Sequence, residues 1–462
     1  MLIPVIAVFD VGKTNKKLFL FDEQYHIVYE KSARFLETKD EDGDSCENLD
    51  SLRLSVFDSL NEVLKANKYD IKAINFSTYG ASFVYLDEEG KPLTPLYNYL
   101  KPYPKELEEL FYQTHGSPQK IAQETASPAS GSLNSGMQLY RIKHQKPDIF
   151  KQIKYVLHLP QYMSNLITGK YFTDMTSIGC HTQLWDFNKK DYHQWVYDEQ
   201  LVEKLPKIFP ADDVIEASFM GKTYKTGVGL HDSSAALIPY LVNFKEPFVL
   251  LSTGTWCISL NPFNESPLTS QELENDCLAY IAYHGKPVKA SRLFAGFELE
   301  QQSKRIAAHF KVDALIFRTM PFDAQLAAQL KERFKNEDQA SVILPKQSTF
   351  GGRDLSSFAN EKEAYHQLVA DIIDLQSQST ALIIKGSAIR KIFVDGGFSK
   401  NTIYMNLLAR AFPQIEVYAA SMAQATALGA AVAIHKHWNT KALPNDIIEL
   451  KYYSVNQPIL GE

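Results

Sequence analysis

The strongest constraint on this chain's fold lies at residues 6–23, IAVFDVGKTNKKLFLFDE. Gly12-Lys13-Thr14 resembles the end of a nucleotide-binding P-loop. That loop needs a second glycine five positions earlier and a helix after it. Position 7 is Ala7, and the following KLFLFD is aromatic-rich and bounded by charge, which predicts a strand. The stretch is therefore strand, acid, glycine turn, strand, with Asp10 and Gly12 at a hairpin tip.

A chain of 462 residues exceeds one ordinary core, so two domains are expected, 1–243 and 244–462. Net charge is −6, from 48 basic and 54 acidic residues, so there is no basic field to attract nucleic acid. Cys46, Cys180, Cys257 and Cys277 are scattered, without metal-binding spacing or a disulfide framework. The opening MLIPVIAVF has no basic flank and reads as a buried strand rather than a signal peptide. No apolar run is long enough to span a bilayer. The expectation is a cytoplasmic, soluble protein with no membrane partner, and a homodimer is compatible with the sequence.

Strands and helices alternate throughout, which predicts an α/β fold. HIVYEKSARF is a third strand. KDEDGDSCENLD is acidic, but its Gly and terminal Glu miss the calcium-loop positions, so it reads as a solvated loop. Leu49, Leu52, Val56, Leu60 and Val63 share one helical face, giving a helix to about Ala66. IKAINFSTYG is a strand running into a turn, FVYLDEEGKPL a hairpin and YNYLKPYPKE a Pro-rich loop. Residues 135–146 and 158–168 read as helices. The character breaks near 222–247, after which FVLLSTGTWCISL repeats the strand–polar turn–strand unit. Helices follow in LFAGFELEQQSKRIAAHF, in 361–385 and in QATALGAAVAIHKH. KIFVDGGFSKNTIYMNLLARAF is strand, glycine turn, helix. The two matching beginnings suggest two related lobes, although no sequence repeat is visible.

Three turns follow apolar strands: Asp10/Gly12, Gly254/Thr255 and Gly396/Gly397. Glycine turns let backbone N–H groups approach phosphate oxygens. Thr14, Asn15 and Thr255 add donors, and Asp10 beside a phosphate would hold Mg²⁺. Any one of these alone reads as an ordinary turn, whereas three of matched polarity favour nucleotide binding.

These stretches, together with STYGASFVYLDEEGKPL, GLHDSSAAL and the segment from SGMQLYRIKH to FTDMTSIG, lie in the order found in the FGGY family of carbohydrate kinases, and the chain resembles that family over most of its length. YGASFVYLD and HTQLWDF are most similar to its rhamnulokinase/fuculokinase branch. The resemblance implies two actin-like (ribonuclease H-like) lobes with a central cleft that closes on substrate, and ATP and Mg²⁺ as cofactors. It places Lys13, Thr14, Asn15 and Lys17 at the first phosphate motif, with Asp10 at the metal. Gly254 and Thr255 fall at the second phosphate motif, and Gly396, Gly397 and Asn401 at the adenosine motif. Asp232 becomes the catalytic base, since a positioned carboxylate can take the proton of an attacking sugar hydroxyl. Tyr79, Gly80, Ser82, His231, Asp232 and Ser233 become sugar-binding. Read without the family, Asp232 is a helix N-cap, and both roles can hold.

Two departures stand out. Lys13 occupies the place of the usual hydroxyl residue, to be read either as a phosphate-facing ammonium or as an exposed hairpin tip. Ser82 occupies the place of an acid. Tyr79, Tyr97 and Tyr99 are each read first as packing residues. The implied activity is ATP-dependent phosphorylation of a ketose, a 6-deoxyketose such as L-rhamnulose or L-fuculose giving the 1-phosphate. The alternatives are another ketose or pentulose (L- or D-xylulose), an actin-like ATPase, or a non-catalytic nucleotide or sugar sensor.

Overall fold

The computed structural model describes residues 2–13, 15–33, 37–335, 343–422 and 424–454. The chain forms two compact units. The first is Met1–Asn243 with Ala279–Pro287 and Ala423–Ile447; the second is Phe244–Leu278, Val288–Met422 and Ile448–Glu462. The chain thus leaves the first unit after Asn243, where the sequence changes character, but returns to it twice.

In the first unit the opening hairpin is as expected. Ile3–Val11 pairs antiparallel with Lys16–Phe21, which pairs antiparallel with Ile27–Ala33. On the other side of Ile3–Val11 lies Tyr69–Thr78, parallel, and then Lys222–Gly227, also parallel. Val214–Phe219 completes that edge. The helix Leu49–Lys65 is capped by Asn48, whose side chain accepts the Ser51 N–H. Its apolar stripe of Leu49, Leu52, Val56, Leu60 and Val63 packs with Val5, Ala7, Phe9 and Leu18 of the sheet. A second core sits in the segment inserted after Tyr69–Thr78, where Phe111 meets Tyr140 and Trp195 edge-on at 5.0 and 5.1 Å.

The second unit repeats the plan. Phe248–Thr253 pairs antiparallel with Cys257–Asn261, which pairs antiparallel with Pro287–Leu293. Lys391–Gly396 lies parallel to Phe248–Thr253, and Glu416–Ser421 lies parallel beside that. Five strands of each sheet share the 3-2-1-4-5 order of ribonuclease H-like, actin-like lobes; the second sheet adds Cys277–Ile281 beside Pro287–Leu293 and Glu449–Tyr453 beside Glu416–Ser421. Among the described residues no helix is long and apolar enough to cross a membrane.

Three expectations are corrected. Phe83–Leu86 bridges only once across its own turn, at Leu86–Pro92, and finds its strand partner in Tyr155–His158. The Pro-rich loop around 97–104 runs directly into an unforeseen helix, Lys105–His115. The acidic loop is not solvated at its root: Asp40 is buried, and Lys101 Nζ lies 2.5, 2.7 and 3.1 Å from Asp40, Asp42 and Asp44. The lysine ammonium fills the place a cation would take among the three carboxylates.

Candidate active site

Ligands of open α/β sheets gather at the carboxyl ends of parallel strands. In the first unit three such ends lie side by side. Asp10 pairs with Ser77, and the short strand Leu230–His231 pairs with Ser77 and Thr78 from the other side. Asp10 and Leu230 are thus two strand spacings apart, roughly 10 Å at about 4.8 Å each. Asp232 follows at once, as the first residue of the helix Asp232–Asn243.

Asp232 keeps 33% of its side chain open while His231 beside it is buried. Its Oδ1 accepts the Ser233 N–H at 2.6 Å and lies 3.1 Å from His231 Nε2. Burial pushes the carboxyl pKa up, but the His231 charge and these hydrogen bonds outweigh it and leave Asp232 below the ordinary carboxylate range. Asp10 has no ion-pair partner among the described residues. Its Oδ2 accepts only the Thr426 hydroxyl, at 2.9 Å. Burial, reinforced by the Asp232 charge and opposed by Thr426 and Lys17, raises it to about 6. A half-buried carboxylate with no ion-pair partner among the described residues is the donor a hard divalent ion takes, alongside water and phosphate oxygens. Thr426 begins the small-residue helix Ala425–Ala433, which packs on the Asp232 helix so closely that a Cβ on Gly429 would fall 1.8 Å from Ala235 O.

The rest of the first turn is arranged as follows. Gly12 N–H donates to Asn15 O at 2.8 Å, closing the turn. Thr14 lies outside the described residues, and Asn15 is exposed. Lys17 pairs with Glu30 at 2.7 Å, yet its charge is felt at Asp10. Lys13 is not an exposed tip: it turns inward, 3.5 Å from Glu47 and 5.6 and 5.8 Å from the Tyr79 and Tyr99 rings. Glu47 is buried and also takes Lys16 at 3.0 Å and the Tyr79 hydroxyl at 2.8 Å. Burial, with the Asp232 and Glu47 charges, raises the Tyr99 pKa. Tyr97 instead binds Glu41 and Lys146 through its hydroxyl, in the acidic loop. Ser82 is buried, its carbonyl accepting the Leu159 N–H at 3.1 Å. Ser233 serves Asp232 through its N–H.

Gly80 has no positive φ, so the backbone there does not require glycine. Space does: a Cβ would sit 2.5 Å from Cys180 Sγ and 3.0 Å from His231 Cδ2.

In the second unit Thr253 and Gly396 are register partners, which brings the Gly254–Thr255 and Gly396–Gly397 turns together. A Cβ on Gly296 would fall 1.8 Å from Gly254 O, and Phe297 N–H donates to Thr255 O at 3.1 Å, so a helix starts against the first turn. Gly396 has φ 92° and no room for a Cβ, which would fall 1.9 Å from Thr253 O. At Gly397 the corresponding space is open. Asn401 caps the helix Thr402–Ala411 by accepting the Ile403 and Tyr404 N–H groups, and donates to the Tyr365 hydroxyl at 2.9 Å. Its amide is thereby committed to holding the helix.

Glu47, Cys180 and Thr426 did not emerge from the sequence as site residues. Glu47 ends a loop discounted for its composition, Cys180 has no partner at any recognisable spacing, and Thr426 lies 416 residues from Asp10.

The two lobes and their turns are those of a sugar-kinase class. The description of the FGGY family of carbohydrate kinases, N-terminal domain, matches residues 5–237, and that of the carbohydrate kinase FGGY C-terminal domain matches residues 245–442. The chain belongs to the FGGY family of carbohydrate kinases. It is similar to a rhamnulokinase of Halalkalibacterium halodurans, 27% identical over 269 residues, covering 54% of this chain and 52% of that protein. A rhamnulokinase of Bacteroides thetaiotaomicron is 24% identical over 224 residues, 44% of this chain and 43% of that one. These matches span about half the length of the curated relatives. Among solved structures, a carbohydrate kinase from Novosphingobium aromaticivorans shares the fold with a TM-score of 0.80 at 23% identity, covering 98% of this chain and 95% of that one. A xylulose kinase from Lactobacillus acidophilus does so at 0.79 and 18%, covering 98% and 94%.

Proposed function

We propose that the protein transfers the γ-phosphoryl group of ATP to a ketose hydroxyl, giving the 1-phosphate of a 6-deoxyketose such as L-rhamnulose or L-fuculose. The observation that carries this is Asp232: a carboxylate held ionised by His231, one-third open, at the strand ends beside Asp10. Asp232 accepts the proton of the sugar hydroxyl as its oxygen attacks the γ-phosphorus, and the bond to the ADP oxygen breaks. Asp10 would hold Mg²⁺, which supplies charge neutralisation at the phosphate oxygens. Lys13, Asn15 and Lys17 with Gly12 serve the phosphates from the first unit; Gly254, Thr255, Gly396 and Gly397 serve ATP from the second. Tyr79, Tyr99 and His231 face the sugar, with Gly80, Ser82 and Ser233 behind them.

The named rhamnulokinase relatives support the deoxyketose. ADP release with L-rhamnulose, L-fuculose, L-xylulose, D-xylulose and D-fructose, against ATP alone, tests it. One 6-deoxyketose should be best in kcat/KM. A pentulose or D-fructose best by a wide margin would replace the substrate and leave the kinase. Equal ADP release without sugar would replace the kinase with an ATPase. Asp232→Asn should lower kcat about 10²–10⁴-fold, and near-wild-type turnover would remove Asp232 as the base.

A further inference from the structure

Cys180 and His231 are both buried, and Cys180 Sγ lies 3.0 Å from His231 Nε2. The same Nε2 faces Asp232 Oδ1 at 3.1 Å. The ring is held on its other sides as well. It stacks on Tyr280 at 5.4 Å, its Nδ1 lies 3.5 Å from Ser234 Oγ, and its backbone N–H donates to Thr176 Oγ1 at 3.0 Å. Against burial, the next residue, His181, also acts to lower the Cys180 thiol pKa. His181 Nδ1 lies 3.1 Å from Leu133 O, to which it donates. Towards the Nε2–H of a charged His231 the Cys180 sulfur is an acceptor. Cys180, His231 and Asp232 form one line, its first two members buried, that ends at the partly open carboxylate.

The line depends on a missing side chain. A Cβ at Gly80 would overlap the sulfur and crowd the imidazole. Since the Gly80 backbone does not itself require glycine, the absent side chain makes room for the Cys–His contact.

The charges around Asp232 give the line its consequence. The Asp10 carboxylate, whose pKa the Asp232 charge helps to raise, opposes a second anion there. His231 is the one cation among the named influences on Asp232. His158 is buried, and burial with the His231 charge pushes its pKa down to about 3, so it stays neutral. Burial opposes a charged His231; Cys180 and Asp232 together outweigh burial and raise it well above the ordinary range.

We propose that Cys180 is a positioning residue for phosphoryl transfer, its sulfur holding the His231 imidazole against Asp232 and so setting the acid limb of the pH–rate profile. The inference rests on Asp232 as the base. Without the sulfur, His231 is a poorer cation, Asp232 loses its countercharge, and its proton is lost only at higher pH.

The test is kcat/KM for the sugar at saturating MgATP from pH 5 to 9, in the full chain. Cys180→Ala should move the acid limb up by about one pH unit, a roughly tenfold larger loss at the acid end than on the plateau. Cys180→Ser, which keeps the size and an acceptor atom, should move it less. Gly80→Ala, which displaces the pair and alters neither member, should move it in the same direction. A uniform fall with the limb in place for all three variants would overturn the inference and leave Cys180 a packing residue. The two failures are separable: an active Asp232→Asn removes the base, whereas an inactive Asp232→Asn beside an unmoved limb removes only the role of Cys180.

Discussion

Asp10 should make the protein less stable than it could be, and by an amount that depends on pH. Its carboxyl is raised from 3.8 to about 6 by burial, with the Asp232 charge adding to the shift. A raised carboxyl pKa means that the folded state binds the proton more tightly than the unfolded state does. The cost is therefore absent well below pH 3.8, grows as pH rises from there towards 6, and is complete above. The 2.2-unit gap corresponds to a ceiling of about 3 kcal/mol at pH 8, about 1.6 at pH 5 and about 0.6 at pH 4. Asp10→Asn keeps an acceptor for the Thr426 hydroxyl and removes the charge, so the variant should gain these amounts over wild type. For a unit of this size the gain corresponds to roughly 6–12 °C in Tm at pH 8 and only 1–2 °C at pH 4. Differential scanning fluorimetry of both proteins across that range reads it directly, and the same variant should have lost phosphoryl transfer. A Tm gain that does not change with pH, or no gain at pH 8, would refute the reasoning, because either result would mean that desolvation does not outweigh Thr426 and Lys17 at the Asp10 carboxylate.

Two other perturbations have outcomes of their own. Lys13→Thr leaves Glu47 with Lys16 and Tyr79; if the ammonium reaches ATP phosphate from its long 3.5 Å contact, KM for ATP should rise about tenfold and KM for sugar less. An unchanged KM for ATP with a raised KM for sugar would assign Lys13 to the Tyr79–Tyr99 side. Gly429→Val drives a side chain into Ala235 O, at a cost of about 3 kcal/mol or more. Equilibrium urea unfolding should show that loss and kcat should fall with it, because the displaced partner is the helix that begins at Asp232; wild-type stability would mean that the two helices separate freely.

Local physics was legible in the sequence. An apolar run, an acid, a glycine turn and an aromatic-rich run at 6–23 predicted the hairpin, and the i, i+3, i+4 spacing of Leu49 to Val63 predicted a helix and its buried face. Asp10 stood out because it stands where an apolar strand ends, whereas Asp232 was legible as a base only through the family resemblance and otherwise read as a helix N-cap. What was not legible depends on chain closure over long separations. Tyr155–His158 as the partner of Phe83–Leu86 has no local signature. Lys101 among the three aspartates turns a composition that reads as solvated into a buried ionic knot. The Cys180–His231 contact brings together residues 51 apart and requires space left by Gly80, so spacing between functional residue types could not reveal it.

The double return of the chain to its first unit sets the order in which the protein can be made. The floor of the first sheet is finished by the helix Ala425–Ala433, where Asn75 Nδ2 meets Ala430 O at 2.7 Å across 355 residues. A nascent chain that has reached Asn243 holds the whole sheet but not the helix that covers it. At about 5–20 residues per second, the roughly 180 residues still to come occupy the ribosome for roughly 10–40 s. During that interval the apolar face that receives Ala427, Ala430 and Ala431 stays bare, and Asp10 has not met Thr426. A gene cut after residue 243 would hold the protein permanently at that stage. In the intact gene, translation speed and chaperone holding over this window govern how much of the product reaches its native state.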